Sequence, residues 1–233
     1  MFKPILAGDN IPLGYELIDQ NNICFFGTQR CDSQVLNSLY PEIHFLSLKQ
    51  VHGEAIIQAE RSKTSAEADA HWTNEKNLGL FVFTADCIPL LISHPERVSA
   101  IHAGWRGVRK NIAASAIANF KMDGCNLSLA HAFIGPCIAR QSFEVDTTLA
   151  QNFTDYLISI GCPVEKCVFA SPYQKDKAYI DLIEILKFQL ISAGIKSQNI
   201  MVYVADTKTD SRFASYRRDN KTSLRNISFV SRL

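Results

Sequence analysis

Short apolar runs alternate along the chain with segments whose apolar residues recur at helical spacing. The short runs are rich in β-branched and aromatic residues, which is typical of buried strands. They predict strands at residues 22–30, 43–51, 78–85, 88–94, 98–105, 129–138, 199–206 and 225–233. Residues 207–223, between the last two, are polar and basic without a regular period, and such long irregular segments often carry function.

Two stretches place apolar residues on one face of a helix that packs against a sheet. One is formed by Val108, Ile112, Ala116, Ile117 and Phe120. The other is formed by Ile180, Ile183, Leu186, Leu190 and Ile191, and we expect it to end at Gly194. A further helix is expected at residues 147–160, before Gly161. Together these elements predict a mixed α/β fold around a central sheet.

Composition narrows the class of protein. A length of 233 residues favours one large domain or at most two small ones, and a hydrophobic fraction of 47% supports a sizeable core. The balance of 24 basic and 23 acidic residues gives no electrostatic reason to expect a nucleic acid or an anionic membrane as partner. No apolar run approaches the roughly 20 residues of a membrane span. Seven cysteines without a C-x-x-C pair, and no apolar export signal, favour a reducing cytoplasm.

Three residues of the metal-ligand type stand where a predicted strand gives way to a loop. They are His52 in KQVHG, Cys87 in TADCIPL and His102 in IHAGWRG. Two imidazoles and one thiolate form a known catalytic zinc set, with water as the fourth ligand. Zinc in such a site lowers the pKa of water and polarises acceptor atoms. Spacing alone favours the alternative of a buried cysteine and two hydrogen-bonded histidines.

Two other functions are compatible with the same residues. In a metal-free thiol hydrolase, Cys87 would be the nucleophile and His102 the base, acting on an amide such as a peptidoglycan precursor. In a protein without catalytic activity, Cys87 would be a reactive thiol of a redox sensor or scaffold. Metal content separates these alternatives from a zinc enzyme.

Six motifs that occur in one order carry a family resemblance. They are KQVHG, ADAHWT, TADCIPLLI, IHAGWRG, IGPCI followed by FEV, and SYRRD. The chain resembles the laccase-domain family, also called multicopper polyphenol oxidoreductase and more recently purine nucleoside phosphorylase. The resemblance implies one domain over residues 1–233, a layered α/β fold with a central mixed sheet flanked by helices, and zinc held by His52, Cys87 and His102.

The resemblance also implies an activity. Purine nucleosides and phosphate would be the substrates, through phosphorolysis of adenosine, inosine and methylthioadenosine, with adenosine deamination as a second activity. The sequence departs from the family pattern at Asp206, where the family often has cysteine, and at Tyr216, where it often has histidine. We expect the C-terminal loop to border the substrate pocket, so these departures bear on substrate preference.

The older laccase name implies copper. A multicopper oxidase needs several histidines beyond a His/Cys site, whereas this chain has six histidines and no H-x-H pair. Copper remains an alternative occupant of the His/Cys site because it binds such ligands tightly, and polyphenol oxidation remains an alternative activity.

Four polar residues are candidates for substrate binding. Arg106, Arg217 and Arg218 could hold phosphate, since guanidinium offers paired donors to oxyanions, although a salt bridge or a solvated pair would explain them as well. Asp69 could act in acid/base steps or orient a ligand histidine, and the alternative is a carboxylate that caps a turn.

Overall fold

The computed structural model describes residues 1–62 and 66–233. Within them the strands are β1 (Lys3–Leu6), β2 (Pro12–Asp19), β3 (Asn22–Gly27), β4 (His44–Leu46), β5 (Ile56–Gln58), β6 (Ala70–Thr73), β7 (Leu78–Thr84), β8 (Ile88–His94), β9 (Arg97–Ala103), β10 (His131–Ile134), β11 (Glu144–Asp146), β12 (Val168–Ala170), β13 (Lys177–Ile180), β14 (Ile200–Val202) and β15 (Asn226–Arg232). The α-helices are α1 (Ser33–Leu39), α2 (Trp105–Arg109), α3 (Ile112–Met122), α4 (Thr147–Ser159) and α5 (Leu182–Ala193).

The strands form two six-stranded sheets and one small sheet. The first sheet has the order β1-β2-β3-β15-β7-β4, and the second has the order β14-β10-β8-β9-β6-β5. Both are mixed, because most neighbours are antiparallel while β4, β5 and β14 add parallel strands at edges. The small sheet has the order β11-β13-β12. The predicted α/β class, with mixed sheets flanked by helices, is confirmed, and the structure resolves the predicted central sheet into two packed sheets.

The two large sheets pack face to face. Alternate residues of the first sheet, such as Phe26, Leu80 and Val82, meet Leu91 and Ala100 of the second in one buried cluster. Successive side chains of a strand point to opposite faces, so the remaining residues of each strand face outward. Because those outer faces are also covered, the central strands β8 and β9 are buried at every position.

The outer layers complete the core. The outer face of the first sheet, with Phe25, Phe81 and Phe229, packs against Leu36 of α1. The outer face of the second sheet packs against α3, α4 and α5 and the small sheet in the largest buried cluster, which includes Ile101.

Most predicted elements have close counterparts, and the deviations have local causes. The helix predicted around Ile112 is split into α2 and α3 because Asn111 adopts a left-handed backbone conformation with a φ of 58°. Ile180 belongs to β13, and the helix expected there begins only after Asp181, whose side chain accepts a hydrogen bond from the backbone N–H of Glu184. Gly194, at a φ of 110°, ends α5 as predicted.

In the described parts of the chain, none of the helices combines the length and the apolar character that crossing a membrane requires.

The interface between the large sheets should contribute strongly to stability. Phe26 is fully buried there and contacts Phe2, with ring centroids 5.0 Å apart. We expect Phe26→Ala to lower the free energy of unfolding by about 3–5 kcal/mol, because it removes apolar contacts and leaves a cavity. Ile18→Ala on the neighbouring strand is the control, since Ile18 is 52% exposed. Urea denaturation measures both, and equal effects of the two changes would contradict this packing.

Candidate metal centre and substrate cleft

The paired strands β8 and β9 bring two of the predicted ligands to one end of the second sheet. Cys87 directly precedes β8, and His102 lies on β9 opposite Pro89. The third ligand, His52, lies in the loop between β4 and β5. Asp69 directly precedes β6, which pairs with β9, and its backbone carbonyl accepts a 2.7 Å hydrogen bond from the N–H of His102. Strand pairing therefore explains why residues far apart in sequence meet here.

The structure brings His52, Cys87 and His102 together. One ligand atom from each lies within 4.8 Å of the others, and the two imidazole rings are nearly perpendicular with centroids 4.7 Å apart. His102 is buried, Cys87 is half-buried and His52 is exposed, so the cluster opens to solvent on one side. A Cβ atom at Gly104 would lie 3.2 Å from Cys87 Sγ and 3.3 Å from His52 Cδ2, so glycine leaves the cluster room.

The fully buried carboxylate of Asp69 organises the cluster. Its Oδ1 lies 2.7 Å from His102 Nδ1 and accepts a 2.9 Å hydrogen bond from the N–H of His52. Its Oδ2 accepts hydrogen bonds from the N–H groups of Gly53 at 2.6 Å and Val51 at 3.3 Å. Burial raises the pKa of Asp69, but the hydrogen bonds from His102 and Gly53 outweigh burial and hold this pKa below its ordinary value.

The same contacts hold His52 in an uncommon conformation. Its φ of 58° lies in the left-handed region, which costs free energy for a residue with a Cβ atom. Three successive N–H groups of the loop point at one carboxylate, and these hydrogen bonds offset that cost. The loop is therefore shaped by Asp69, and the imidazole of His52 is presented from a fixed backbone.

The electrostatics of the cluster suit a thiolate. Burial raises the pKa of Cys87, but hydrogen bonds from His102 and His52 outweigh it and bring this pKa down to about 7. Burial lowers the pKa of His102, but Asp69 and Cys87 outweigh it and raise this pKa to about 9. The pKa values of the other six cysteines are all shifted upward, with burial as the main cause. Cys87 is thus the one cysteine whose pKa is lowered towards neutrality.

These residues fit a divalent metal such as zinc. A thiolate and two imidazoles are suitable donors, and three protein ligands leave one coordination position for a substrate or water. His102 engages Asp69 through Nδ1, which leaves Nε2 for the metal and fixes the orientation of the ring. This carboxylate–histidine arrangement is common where histidine ligates zinc.

A cleft of about 1050 Å³ adjoins the cluster. One wall comes from the strand ends and the loop of His52, and the other comes from β11, α4, β13 and the start of α5. The lining residues are Leu48, Gln50, Val51, His52, Phe83, Ala85, Asp86, Cys87, His102, Trp105, Arg106, Ile138, Phe143, Glu144, Val145, Asp146, Leu149, Lys177, Leu182, Tyr216, Arg217 and Arg225. The volume is large enough for a nucleoside together with an anion.

The predicted anion-binding arginines have different surroundings. Arg106 lines the cleft and stacks on Trp105 at 4.3 Å, and within the described residues its guanidinium has no hydrogen-bond partner. Arg217 also lines the cleft, although its Nη1 donates a 2.9 Å hydrogen bond to the carbonyl of Glu144. Lys177 and Arg225 line the cleft as well. Sequence reasoning missed both, because no motif marks a lone basic residue that folding brings to a cleft.

The hydrogen bonds of Arg218 are typical of a residue that stabilises its own loop. Its guanidinium donates hydrogen bonds to Asp219 and to the backbone carbonyls of Thr207, Asp210 and Phe213. These contacts occupy its donors within the C-terminal loop, and Arg218 is not among the lining residues of the cleft. Its surroundings match the structural alternative better than the phosphate-binding one.

Asp86 connects the ligand strand to the same loop. Its Oδ1 accepts a 2.6 Å hydrogen bond from Thr207 Oγ1, and its Oδ2 accepts a 2.7 Å bond from the N–H of Arg217. With a φ of 83°, Asp86 turns the chain sharply just before Cys87. Arg217 thus reaches the cleft because a carboxylate beside the candidate ligand holds its backbone.

The two departures from the family pattern lie in different environments. Asp206 accepts hydrogen bonds from Ser142 Oγ at 2.6 Å and from the N–H of Ala139 at 3.2 Å, and it is not a lining residue. Tyr216 lines the cleft and is 47% exposed. Of the two, Tyr216 is therefore the one placed to touch a substrate directly.

Comparison with known proteins shows the family of this chain. The chain belongs to the family described as multi-copper polyphenol oxidoreductase laccase, whose profile matches residues 29–232. It is 33% identical over 177 residues to purine nucleoside phosphorylase RC0672 of Rickettsia conorii, covering 74% of this chain and 70% of that protein. It is 30% identical over 188 residues to purine nucleoside phosphorylase YlmD of Bacillus subtilis, covering 76% and 66%.

A solved structure extends the likeness to the fold. The crystal structure of Bacillus licheniformis hypothetical protein YfiH matches with a TM-score of 0.83 at 22% sequence identity, covering 99% of this chain and 98% of that chain. The family membership expected from the six motifs is confirmed, and so is the fold class.

Asp69→Asn tests the role of the buried carboxylate. An amide cannot accept all four hydrogen bonds, so the loop of His52 and the ring of His102 should lose their fixed positions. We expect metal affinity to fall by about 10–100-fold, as for other partners of ligand histidines. Chelator competition with zinc measures it. Asp32→Asn is the control, because Asp32 caps α1 away from the cleft. Equal affinities of the Asp69 variant and the parent would refute the organising role.

Proposed function

We propose that this protein is a zinc-dependent purine nucleoside phosphorylase that acts on adenosine, inosine and methylthioadenosine and also deaminates adenosine. The observation that carries the proposal is the convergence of His52, Cys87 and His102 within 4.8 Å at the wall of a cleft that also holds basic side chains. The names of the relatives support purine nucleosides as the substrate class, while the three nucleosides and the deamination come from the family resemblance.

In this proposal His52, Cys87 and His102 hold the zinc and Asp69 orients His102. When bound, zinc would act as a Lewis acid that polarises an acceptor atom of the substrate, and the same property would serve the deamination. The residues of the chain contribute positioning. Asp69 keeps the Nδ1 side of His102 engaged, so the ring presents its other nitrogen to the cleft without rotating.

The walls of the cleft suit a nucleoside beside an anion. Phe143, Val145 and Leu149 offer apolar surface for the flat purine, and Tyr216 adds an aromatic ring with a hydroxyl group. Phosphorolysis also requires an oxyanion next to the anomeric carbon. Arg106 is the best candidate to hold it, because its guanidinium has no other hydrogen-bond partner among the described residues and is oriented by stacking on Trp105.

A thiol hydrolase is the second candidate, and one observation favours it. The cluster has the arrangement of a nucleophile, a base and the group that orients the base, in the order Cys87, His102 and Asp69. In addition, the pKa of Cys87 is about 7. A thiolate at neutral pH is reactive unless a metal ligates it. The two candidates therefore differ in whether Cys87 is covered by metal during turnover.

One experiment separates the two candidates. The protein is prepared metal-free and zinc-loaded, and each form is assayed for phosphate-dependent cleavage of inosine and for alkylation of Cys87 by iodoacetamide. We expect the zinc-loaded form to produce hypoxanthine and ribose 1-phosphate and to resist alkylation, and the metal-free form to be inactive and alkylated readily. Cys31 serves as internal control, because burial raises its pKa to about 12. Chelator-insensitive turnover with a covalent adduct on Cys87 would establish the thiol hydrolase instead.

Arg106→Gln tests the anion site. We expect the apparent KM for phosphate to rise by about tenfold or more while the KM for inosine changes little, because a hydrogen bond to a charged group contributes about 1.5–3 kcal/mol. Arg109→Gln is the matched control, since Arg109 lies on the same helix, is exposed and does not line the cleft. Unchanged phosphate dependence in the Arg106 variant would move the anion site to Arg217, Lys177 or Arg225.

A further inference from the structure

The end of β8 opposite Cys87 carries a second group of metal-type side chains. His94 ends β8, and Glu96 lies in the two-residue turn that leads to Arg97 on β9. Cys125 follows α3 and lies beside them, with one ligand atom of each residue within 4.8 Å of the others. The seven-residue strand separates this group from Cys87 by roughly 20 Å. It is therefore independent of the cleft.

Rigid turns support all three residues. The chain after α3 turns at Gly124, which has a φ of 74°, and the N–H of Cys125 donates a 3.0 Å hydrogen bond back to the carbonyl of Phe120. His94 is fully buried against Phe120, with ring centroids 6.2 Å apart. The carbonyl of His94 accepts a 3.1 Å hydrogen bond from Asn22 Nδ2. The donor atoms thus start from fixed backbones.

The imidazole of His94 has one hydrogen bond that a metal can replace. Its Nδ1 accepts a 3.2 Å hydrogen bond from the N–H of Glu96, and its Nε2 lies 3.3 Å from the carbonyl of Asn126. Both distances are longer than the most common length of such hydrogen bonds, about 2.9–3.0 Å. The lone pair of Nδ1, which accepts from the N–H of Glu96, can therefore bind a metal instead, while the N–H of Nε2 keeps the ring oriented by donating to the carbonyl of Asn126.

The surrounding charges permit a divalent cation. Glu96 and a Cys125 thiolate would together supply two negative charges, which match the two positive charges of the ion. The nearby guanidinium of Arg97 is paired with Asp123 and stacked over Trp72 at 3.8 Å. Arg232, on the other side of the turn, donates a 2.8 Å hydrogen bond to the carbonyl of Pro95. Both arginines are thus engaged with other groups.

We infer that His94, Glu96 and Cys125 form a second, thiophilic metal site that takes zinc or a similar divalent cation. Zinc bonds of about 2.0–2.3 Å place tetrahedral ligand atoms roughly 3.5 Å apart, so small side-chain rotations of Glu96 and Cys125 complete the geometry. Three protein ligands leave the fourth coordination position of a tetrahedral ion open, and water can reach it because Glu96 is exposed. A bound ion would tie the β8–β9 turn to the C-terminal turn of α3, so its role is structural.

Metal stoichiometry and cobalt spectra test this inference. With both sites filled, we expect the parent to bind two zinc ions per chain. The Cys125→Ser variant should bind one fewer than the parent, and this difference does not depend on whether the site at Cys87 binds zinc. In a Cys87→Ala background, cobalt(II) should give a thiolate-to-cobalt charge-transfer band that disappears when Cys125→Ser is added. Glu96→Gln should weaken cobalt binding in this background at least tenfold, and Glu165→Gln, a change at another exposed glutamate, should not.

Thermal unfolding gives an independent measurement in the same proteins. Zinc should raise the Tm of the Cys87→Ala variant but leave the Tm of the double variant unchanged. Cys87→Ser replaces Cys87→Ala if the alanine variant does not fold. Equal zinc content of the parent and the Cys125→Ser variant would overturn the second site, as would a charge-transfer band that survives removal of both thiols. Because these measurements require no turnover, they are separate from the test of the phosphorylase.

Discussion

The candidate centre depends on one interaction, the buried carboxylate of Asp69 with four hydrogen-bond donors. Three donors are backbone N–H groups of one loop, and the fourth group is His102. A buried carboxylate is costly unless it is satisfied in this way. Its satisfaction fixes both the left-handed backbone of His52 and the orientation of the His102 ring. The candidate ligands are therefore positioned before any metal arrives, which limits the ordering that binding requires.

The double-sheet core provides the rigid support for this interaction. β8 and β9 are buried on both faces, between the first sheet on one side and the helices on the other. Their ends consequently hold side chains at fixed positions, and polar groups collect where the apolar strands stop. The same strand β8 has Cys87 at one end and His94 at the other. A single strand pair can thus support two chemically distinct clusters that do not touch.

Burial raises the pKa of every cysteine of this chain, but the net shift differs between them. At six of them no contact outweighs burial, and their pKa values are raised. Cys87 is the exception because two imidazoles face it, and their hydrogen bonds outweigh desolvation. Composition could not distinguish these cases, since all seven are the same residue. The position of Cys87 directly before an apolar strand was the usable signal, because strand ends place polar side chains beside loops.

The sequence by itself determined the strand runs around β7, β8, β9 and β15, the helices that end before Gly161 and Gly194, and the three residues that could ligate a metal. These are local properties, set by apolar spacing, turn residues and donor chemistry. The tertiary structure decided how the strands divide between two sheets, that Lys177 and Arg225 reach the cleft, and that Arg218 is engaged within its own loop. It also decided that Cys125 lies beside His94. These outcomes depend on pairing between distant segments, which no local pattern of residues records.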